Sequence, residues 1–368
     1  MTTIFELDTP SLLLDLNKLK ENIKEVSSFA KKNGVAIRPH IKTHKSINIA
    51  KMQLEEGSVG ITTAKIAEAE VMAQSGIKDI LIAYPISSSL KIARLIKLLQ
   101  HEVHLKVSVD SKEQIDYLDQ GLKHFPHQLE VWIKVNSGLN RCGVDPGSEA
   151  VELAKAVMST TSLKLGGIFT HAGHSYAAKN RKEIEEIGLQ EGYAVVESAN
   201  ECEKAGIPIL VRSVGSTPTY QIAGKVKGIT EVRPGNSAFF DAIQVGLGVT
   251  TFNRCALSVL SSVAGVYKNR LVLDSGSKTL CLDKGAHGNQ TVTGFGHVVH
   301  YSDLTIERLS EEHAVATFTE CPSLKLNDKV QIIPNHACTV VNQFDEYVVH
   351  EDGKVVGHWK VDARGKSN

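Results

Sequence analysis

Directly after the apolar segment Val35-Ala36-Ile37 the chain carries a nitrogen-rich run, Arg38-Pro39-His40-Ile41-Lys42-Thr43-His44-Lys45. If the backbone stays extended, the period of two puts Arg38, His40, Lys42 and His44 on one face. Four such side chains are costly to bury, and a strand that only holds a sheet together carries Val, Ile or Thr there. A lysine among these neighbours suits a Schiff-base nucleophile, whose amine pKa must fall to react near neutrality. Taken alone, the run also reads as a solvated basic strand end.

Two further groups bear on that choice. Ser213-Val-Gly215-Ser216-Thr217-Pro218 and Arg233-Pro234-Gly235-Asn236 offer backbone N–H groups, hydroxyls and an amide to an anion. An ordinary turn is the alternative for Gly-Ser-Thr-Pro. A phosphate cradle facing a lysine points to pyridoxal 5′-phosphate (PLP), with Arg233 or Arg141 available to the ring nitrogen or the ring oxygen. In Pro334-Asn335-His336-Ala337-Cys338-Thr339, an extended backbone turns His336 and Cys338 the same way. An imidazole with a thiolate favours zinc, and two ligands leave positions for water or substrate.

These groups need a scaffold, and the chain between residues 17 and 250 supplies a repeating one. Apolar residues at three- and four-residue spacing predict helices over Asn17–Lys32, Ala64–Ser75, Ser88–Leu99, Lys112–Leu122, Glu149–Ser159 and Arg181–Ala205. Strand-like runs alternate with them: Val35–Ile37, Val59–Thr62, Asp79–Ala83, His104–Val109, Leu129–Val135, Leu163–Phe169, Ile207–Val211 and Thr230–Val232. Eight such alternations are what a (β/α)8 TIM-type barrel requires. An open doubly wound sheet is the rival, but it usually has fewer strands. The Lys42 run, Lys134–Gly143, Thr170–Tyr176 and the two phosphate-type loops then follow barrel strands, at the face where such barrels place chemistry. Past residue 250 short alternating runs predict an antiparallel β domain: Ala256–Ala264, Arg270–Asp274, Thr291–Thr293, Ala314–Thr319, Val330–Ile333, Glu346–His350 and Lys354–Trp359. Residues 1–16, with Ser11–Asp15 as a strand, are expected to join 251–368.

Composition excludes some classes. With 41 basic and 41 acidic residues the formal net charge is zero, which argues against a nucleic-acid binder. No apolar run approaches the ~18 residues of a membrane span, and the N-terminus lacks a signal-peptide pattern. Six scattered cysteines without a CxxC pair suit a reduced, cytoplasmic protein.

Arg-Pro-His-Ile-Lys-Thr-His-Lys, Val-Gly-Ser-Thr-Pro-Thr, Glu-Val-Arg-Pro-Gly-Asn, Leu-Asp-Ser-Gly-Ser-Lys-Thr-Leu and Pro-Asn-His-Ala-Cys together resemble the D-threonine aldolase and D-serine dehydratase family. The resemblance runs from Thr9-Pro10 to Val361–Arg364. It implies the alanine-racemase-type barrel (PLP fold type III), a homodimer, and a D-amino acid substrate. Lys42 becomes the Schiff-base lysine, with Lys45 as a rival facing the other way. Arg141 takes the ring oxygen, although Asn136-Ser137-Gly138 stands where racemases have Asp-Thr-Gly. The cofactor set comprises Lys42, His40, Arg141, Tyr176, Ser213, Gly215, Ser216, Thr217, Arg233, Gly235 and Asn236. His336 and Cys338 become the metal pair, in the same chain as Lys42 or across the dimer. Lys42 is the natural base for the α-proton, with His44, His171 or a metal-bound water as the alternatives for the hydroxyl proton.

The racemase C-terminal signature that supplies a tyrosine proton carrier is missing, so a lyase is expected. Family members of the aldolase type tend to carry a carboxylate where Cys338 stands, which favours a dehydratase giving a 2-oxo acid and ammonia. Retro-aldol cleavage to glycine and an aldehyde is the alternative, with a racemase or a non-catalytic PLP carrier further off.

Overall fold

The computed structural model describes residues 2–285, 288–320 and 322–368; Cys321 lies outside the described residues. Eight parallel strands form the first sheet: β2 (Ala36–Ile37), β3 (Ile61–Thr63), β4 (Asp79–Ile82), β5 (His104–Val109), β6 (Leu129–Lys134), β7 (Leu163–Phe169), β8 (Val211–Val214) and β9 (Glu231–Val232), preceded in the chain by β1 (Ser11–Asp15). Their order is β2-β9-β8-β7-β6-β5-β4-β3. The ring closes between β2 and β3, where Thr62 N–H donates to Pro39 O (2.8 Å) and Ile41 N–H to Thr62 O (2.9 Å). Helices pack outside, among them α1 (Leu16–Asn33), α2 (Ile47–Glu55), α3 (Ile66–Gln74), α4 (Ser89–Gln100), α5 (Lys112–Leu122), α6 (Ser148–Met158) and α7 (Arg181–Lys204). The alanine-racemase-like barrel expectation holds.

Most expected elements shift by only one or two residues at their ends, and two departures bear on the site. The strand read at Ile207–Val211 is displaced to Val211–Val214. Pro208 has no N–H for a ladder, and Ile207 and Ile209 are buried in the layer between strands and helices. Ser213 therefore belongs to a strand rather than to the loop after it. The Lys42 run does not stay extended either. His44 and Lys45 N–H groups both donate to Ile41 O (3.1 and 2.7 Å), so the chain turns just after its bridge to β3. The helix Ile47–Glu55 that follows has no counterpart in the sequence reading.

The second sheet has nine strands: β1 with β10 (Leu257–Tyr267), β11 (Arg270–Leu273), β12 (His297–Val298), β13 (Thr305–Leu309), β14 (Ala314–Thr317), β15 (Lys329–Ile333), β16 (Glu346–Glu351) and β17 (Lys354–Lys360). Six of them close a ring, β10-β11-β14-β13-β12-β15, because β10 pairs with both β11 and β15. Leu12, Leu14, Leu257, Val259, Ile306 and Ile332 help to fill its core. The run Thr291–Thr293 is not a strand, whereas Thr305–Leu309 is one. At Asp352-Gly353 both residues have positive φ (49° and 77°), the geometry of a tight hairpin between β16 and β17.

The barrel interior is partly ionic. Arg38, just past β2, donates from Nε to Glu231 Oε2 on β9 (3.0 Å) and pairs with Asp79, which also pairs with Lys106. Glu231 Oε1 accepts from Ser213 Oγ (2.7 Å), and Ser213 Oγ accepts from Arg233 Nε (2.8 Å). Arg38 and Glu231 are 5% and 3% exposed, so each depends on the other. Glu231→Ala leaves the Arg38 guanidinium with Asp79 alone and Ser213 without its acceptor, and we expect urea unfolding of the cofactor-free protein to show a loss of about 1.5–3 kcal/mol. A loss within the ~1 kcal/mol of an exposed pair would show that β2 and β9 hold together without it.

Candidate active site

A cavity of about 610 Å³ opens at the C-terminal face of the barrel. The turn after β2 supplies His40, Lys42 and Thr43; the strand ends opposite supply Ala83, Tyr84, Asp110, Lys134, Arg141 and Cys142. His171 and Tyr176 come from the β7 loop, Ser216 and Thr217 from the β8 loop, and Arg233, Gly235 and Asn236 from the β9 loop. His336 and Cys338, from the turn after β15, complete the wall. Gly215 and Ser213 do not line the cavity but lie just behind it. A Cβ on Gly215 would stand 2.7 Å from Arg233 N, and one on Gly235 2.8 Å from His40 O. Glycine at both positions lets the β8, β9 and β2 loops press together.

The histidines have definite roles. His171 Nδ1 lies 2.7 Å from Gly215 O, a carbonyl that can only accept. Nδ1 therefore carries the proton and Nε2 keeps its lone pair. Burial first, then the Lys42 charge, holds His171 neutral, well below the usual histidine pKa. His40 is the opposite tautomer: its Nδ1 accepts the Lys42 backbone N–H (3.3 Å), leaving Nε2–H as a donor. Burial, then Lys42 and Arg233, keep it neutral too.

His44 does not reach the cavity. Its Nδ1 accepts Ser46 N–H (3.1 Å), its Nε2 meets Gln53 Oε1 (3.3 Å), and its ring packs on Phe239. Burial pushes its pKa down to about 3. The turn at Ile41, not an extended strand, rotates it away, so the expected proton-carrier role has no geometry behind it. Lys45 also points elsewhere, to Glu68 Oε1 at 2.7 Å.

His336 and Cys338 are not on an extended segment. His336 precedes a helical turn that begins at Ala337, yet the two side chains still meet. Burial would push the Cys338 thiol up, but the His336 imidazole, then the Lys42 ammonium and the Thr43 hydroxyl (Oγ1–Sγ 3.2 Å) bring it below the usual thiol range. His336 Nδ1 lies 2.9 Å from Asp283 Oδ2, which fixes the ring with Nε2 toward the thiol. Among the described residues no group of three or more His, Cys, Asp and Glu side chains could hold a metal ion. A metal here would have two protein donors and positions left for other ligands. The lining suits PLP as well. It holds two amines, two guanidinium groups, hydroxyls and amides, while its single carboxylate, Asp110, is already bonded to Gln114 Nε2 (2.6 Å) and Gly143 N–H (2.9 Å).

Three carboxylates that fasten the site escaped the sequence reading. Glu191, deep in α7, accepts Ala172 N–H (3.1 Å), Gly215 N–H (2.9 Å) and Thr219 Oγ1 (2.5 Å), joining the β7 and β8 loops. Asp241 accepts Asn236 Nδ2 (2.5 Å) and Ala337 N–H (3.0 Å), tying the β9 loop to the His336 turn. Asp283 is the third. The one sequence signal was for Glu191, an acid on the buried face of a helix.

The sequence profile described as "Alanine racemase, N-terminal domain" matches residues 14–242, and "Putative serine dehydratase domain" matches 256–350. The D-threo-3-hydroxyaspartate dehydratase of Delftia sp. (strain HT23) is 31% identical, over 96% of this chain and 97% of its own. A D-threonine aldolase from Filomicrobium marinum superposes with a TM-score of 0.92 at 28% identity, covering 99% of this chain and 98% of that one. Two mutant structures of a D-threo-3-hydroxyaspartate dehydratase, each 29% identical, superpose with TM-scores of 0.91 and 0.90; they cover 98% of this chain, and 96% and 99% of theirs. One replaces a histidine and the other, in a metal-free form, a cysteine two positions later, the spacing of His336 and Cys338.

Asp283 orients His336 without touching its Nε2. In Asp283→Ala we expect metal affinity, measured by competition with a chelating dye, to fall about 10–100-fold while both donors remain. Unchanged affinity would show that the Asp283 bond does not orient the ligand.

Proposed function

The chain belongs to the alanine-racemase-type family that includes the D-threonine aldolases and D-serine dehydratases, and from that premise we propose that it is a PLP- and divalent-metal-dependent lyase acting on a β-hydroxy D-amino acid. The observation that carries this is the meeting of Lys42 and the His336–Cys338 pair on one cavity wall within a single chain. Thr43, next to Lys42, touches the Cys338 thiol.

When bound, PLP supplies an electron sink for charge developing at the substrate α-carbon. Lys42 would anchor the cofactor through its amine and, when that amine is free, take the α-proton of the substrate. Ser216, Thr217, Gly235 and Asn236 receive the phosphate. Tyr176 stands beside them through its bonds to Thr217. Arg233 and Arg141 serve the ring nitrogen and ring oxygen. His336 and Cys338 hold the metal, which supplies Lewis acidity at the β-hydroxyl.

The dehydratase outcome fits best. Lys42 takes the α-proton, hydroxide leaves Cβ, and hydrolysis of the product gives a 2-oxo acid and ammonia. A thiolate ligand at position 338 and the similarity to a D-threo-3-hydroxyaspartate dehydratase support it. The aldolase outcome is the second reading, because His171 offers Nε2 as a base that could take the hydroxyl proton instead. The thiolate–imidazole donor pair favours zinc as the metal. Five described cysteines, all free, suit a reducing cytoplasmic setting. No described helix is long and apolar enough to cross a membrane. A homodimer completes the reading.

Purified protein given PLP is expected to show a visible absorption band that disappears in Lys42→Ala; a band that persists there would place the cofactor on another amine. With D-serine, D-threonine and 3-hydroxy-D-aspartate, the expected product is a 2-oxo acid with ammonia, lost on chelation and in Cys338→Ala. Glycine with an aldehyde would establish the aldolase reading instead, and full activity in Cys338→Ala would sink the metal assignment.

A further inference from the structure

The described barrel holds several buried cations, and most have a carboxylate. Arg38 has Glu231 and Asp79, Lys106 has Asp79, and Lys45 has Glu68. Lys134 does not. It is 6% exposed at the end of β6, and its ammonium meets Ala83 O at 3.4 Å, the Cys142 thiol, and the face of the Phe169 ring at 5.6 Å. Arg141 and Arg233 lie close enough to add like charge. Burial lowers the Lys134 pKa and Cys142 opposes that fall, but no carboxylate bonds the ammonium, so the cavity has a place for an anionic group that arrives with an occupant.

The ring order says which one. β6 is four strands from β2 in either direction, so Lys134 faces the Lys42 turn across the barrel mouth. Its ammonium meets Ala83 O at the end of β4, a strand four places from β8, whose loop takes the phosphate. An amino acid whose amine is engaged at Lys42 and whose β-oxygen is at the Cys338 side still has its carboxylate to place. We propose that Lys134 is a specificity residue that binds the carboxylate of the amino-acid substrate. This rests on the reading of the site as one for amino acids on PLP.

The test uses PLP-loaded protein and calorimetric titration with D-alanine, which has the carboxylate but no β-hydroxyl, and with D-alaninol, which lacks the carboxylate. Lys134→Met and Lys134→Gln are expected to weaken D-alanine about 10–100-fold, the range of one charge-assisted hydrogen bond, and to leave D-alaninol unchanged. The visible band without ligand should stay where it is, and thermal stability of cofactor-free Lys134→Met should be equal or higher, since an unpaired buried charge is gone. Equal losses for the two ligands, no loss for either, or a band shifted before any ligand is added overturns the proposal; the last would assign the anion to the cofactor's own ring oxygen. Turnover of β-hydroxy D-amino acids by the unaltered protein tests the underlying reading separately. Turnover with no Lys134 effect on D-alanine defeats this inference alone.

Discussion

The contact between Arg38 and Glu231 fastens β2 to β9 inside the barrel, and the site depends on that seam. The two strands it joins, β2 and β9, are only two residues long each, so backbone hydrogen bonds alone give that seam little area. A charged pair buried on both sides can adopt few other arrangements without stranding one partner. The same pair reaches upward: Glu231 holds Ser213, Ser213 holds Arg233, and Arg233 lines the cavity. Seam and site therefore share one chain of hydrogen bonds. Burial lowers the Arg233 pKa to about 10, and the nearby Glu231 and Glu191 carboxylates work against that fall. Arg233 remains a cation for whatever it contacts.

Above this floor, the loops that carry chemistry come from separate strands and need fastening. Glu191 and Asp241 do so from below, each accepting bonds from more than one loop. Asp241 has a further effect, since it joins the barrel's β9 loop to the turn after β15 in the other sheet. The His336–Cys338 pair is thus placed against Lys42 by a buried carboxylate rather than by chance packing of two domains. Burial raises the pKa of both acids, a cost that several backbone and side-chain donors offset.

Much of the fold was legible because it rests on periodicity. Lys112–Leu122 is helical over its predicted span, and β5 and β7 match the predicted strands. Reading failed where local chemistry outweighed pattern. Pro208 displaced β8, and the turn at Ile41 broke the assumed extension of the Lys42 run. That turn matters most for function: Lys42 stays at the cavity while His44, two residues on, is enclosed by Gln53, Ser46 and Phe239. The helical turn at Ala337 broke a similar assumption, yet His336 and Cys338 meet because the first turn of a helix also brings nearby side chains together.

By itself, the sequence determined the barrel with its added β domain, and the family to which the chain belongs. Strand and helix spacing, and residue types at strand ends, are local properties that a linear reading can count. Only the tertiary structure decided which of those residues share a cavity, which nitrogen of each histidine carries the proton, and that the metal-type pair faces Lys42 within one chain. Those outcomes depend on partners far away in sequence. Gly215 O sets His171, Asp283 sets His336, and the barrel's ring order leaves Lys134 opposite Lys42 without a carboxylate.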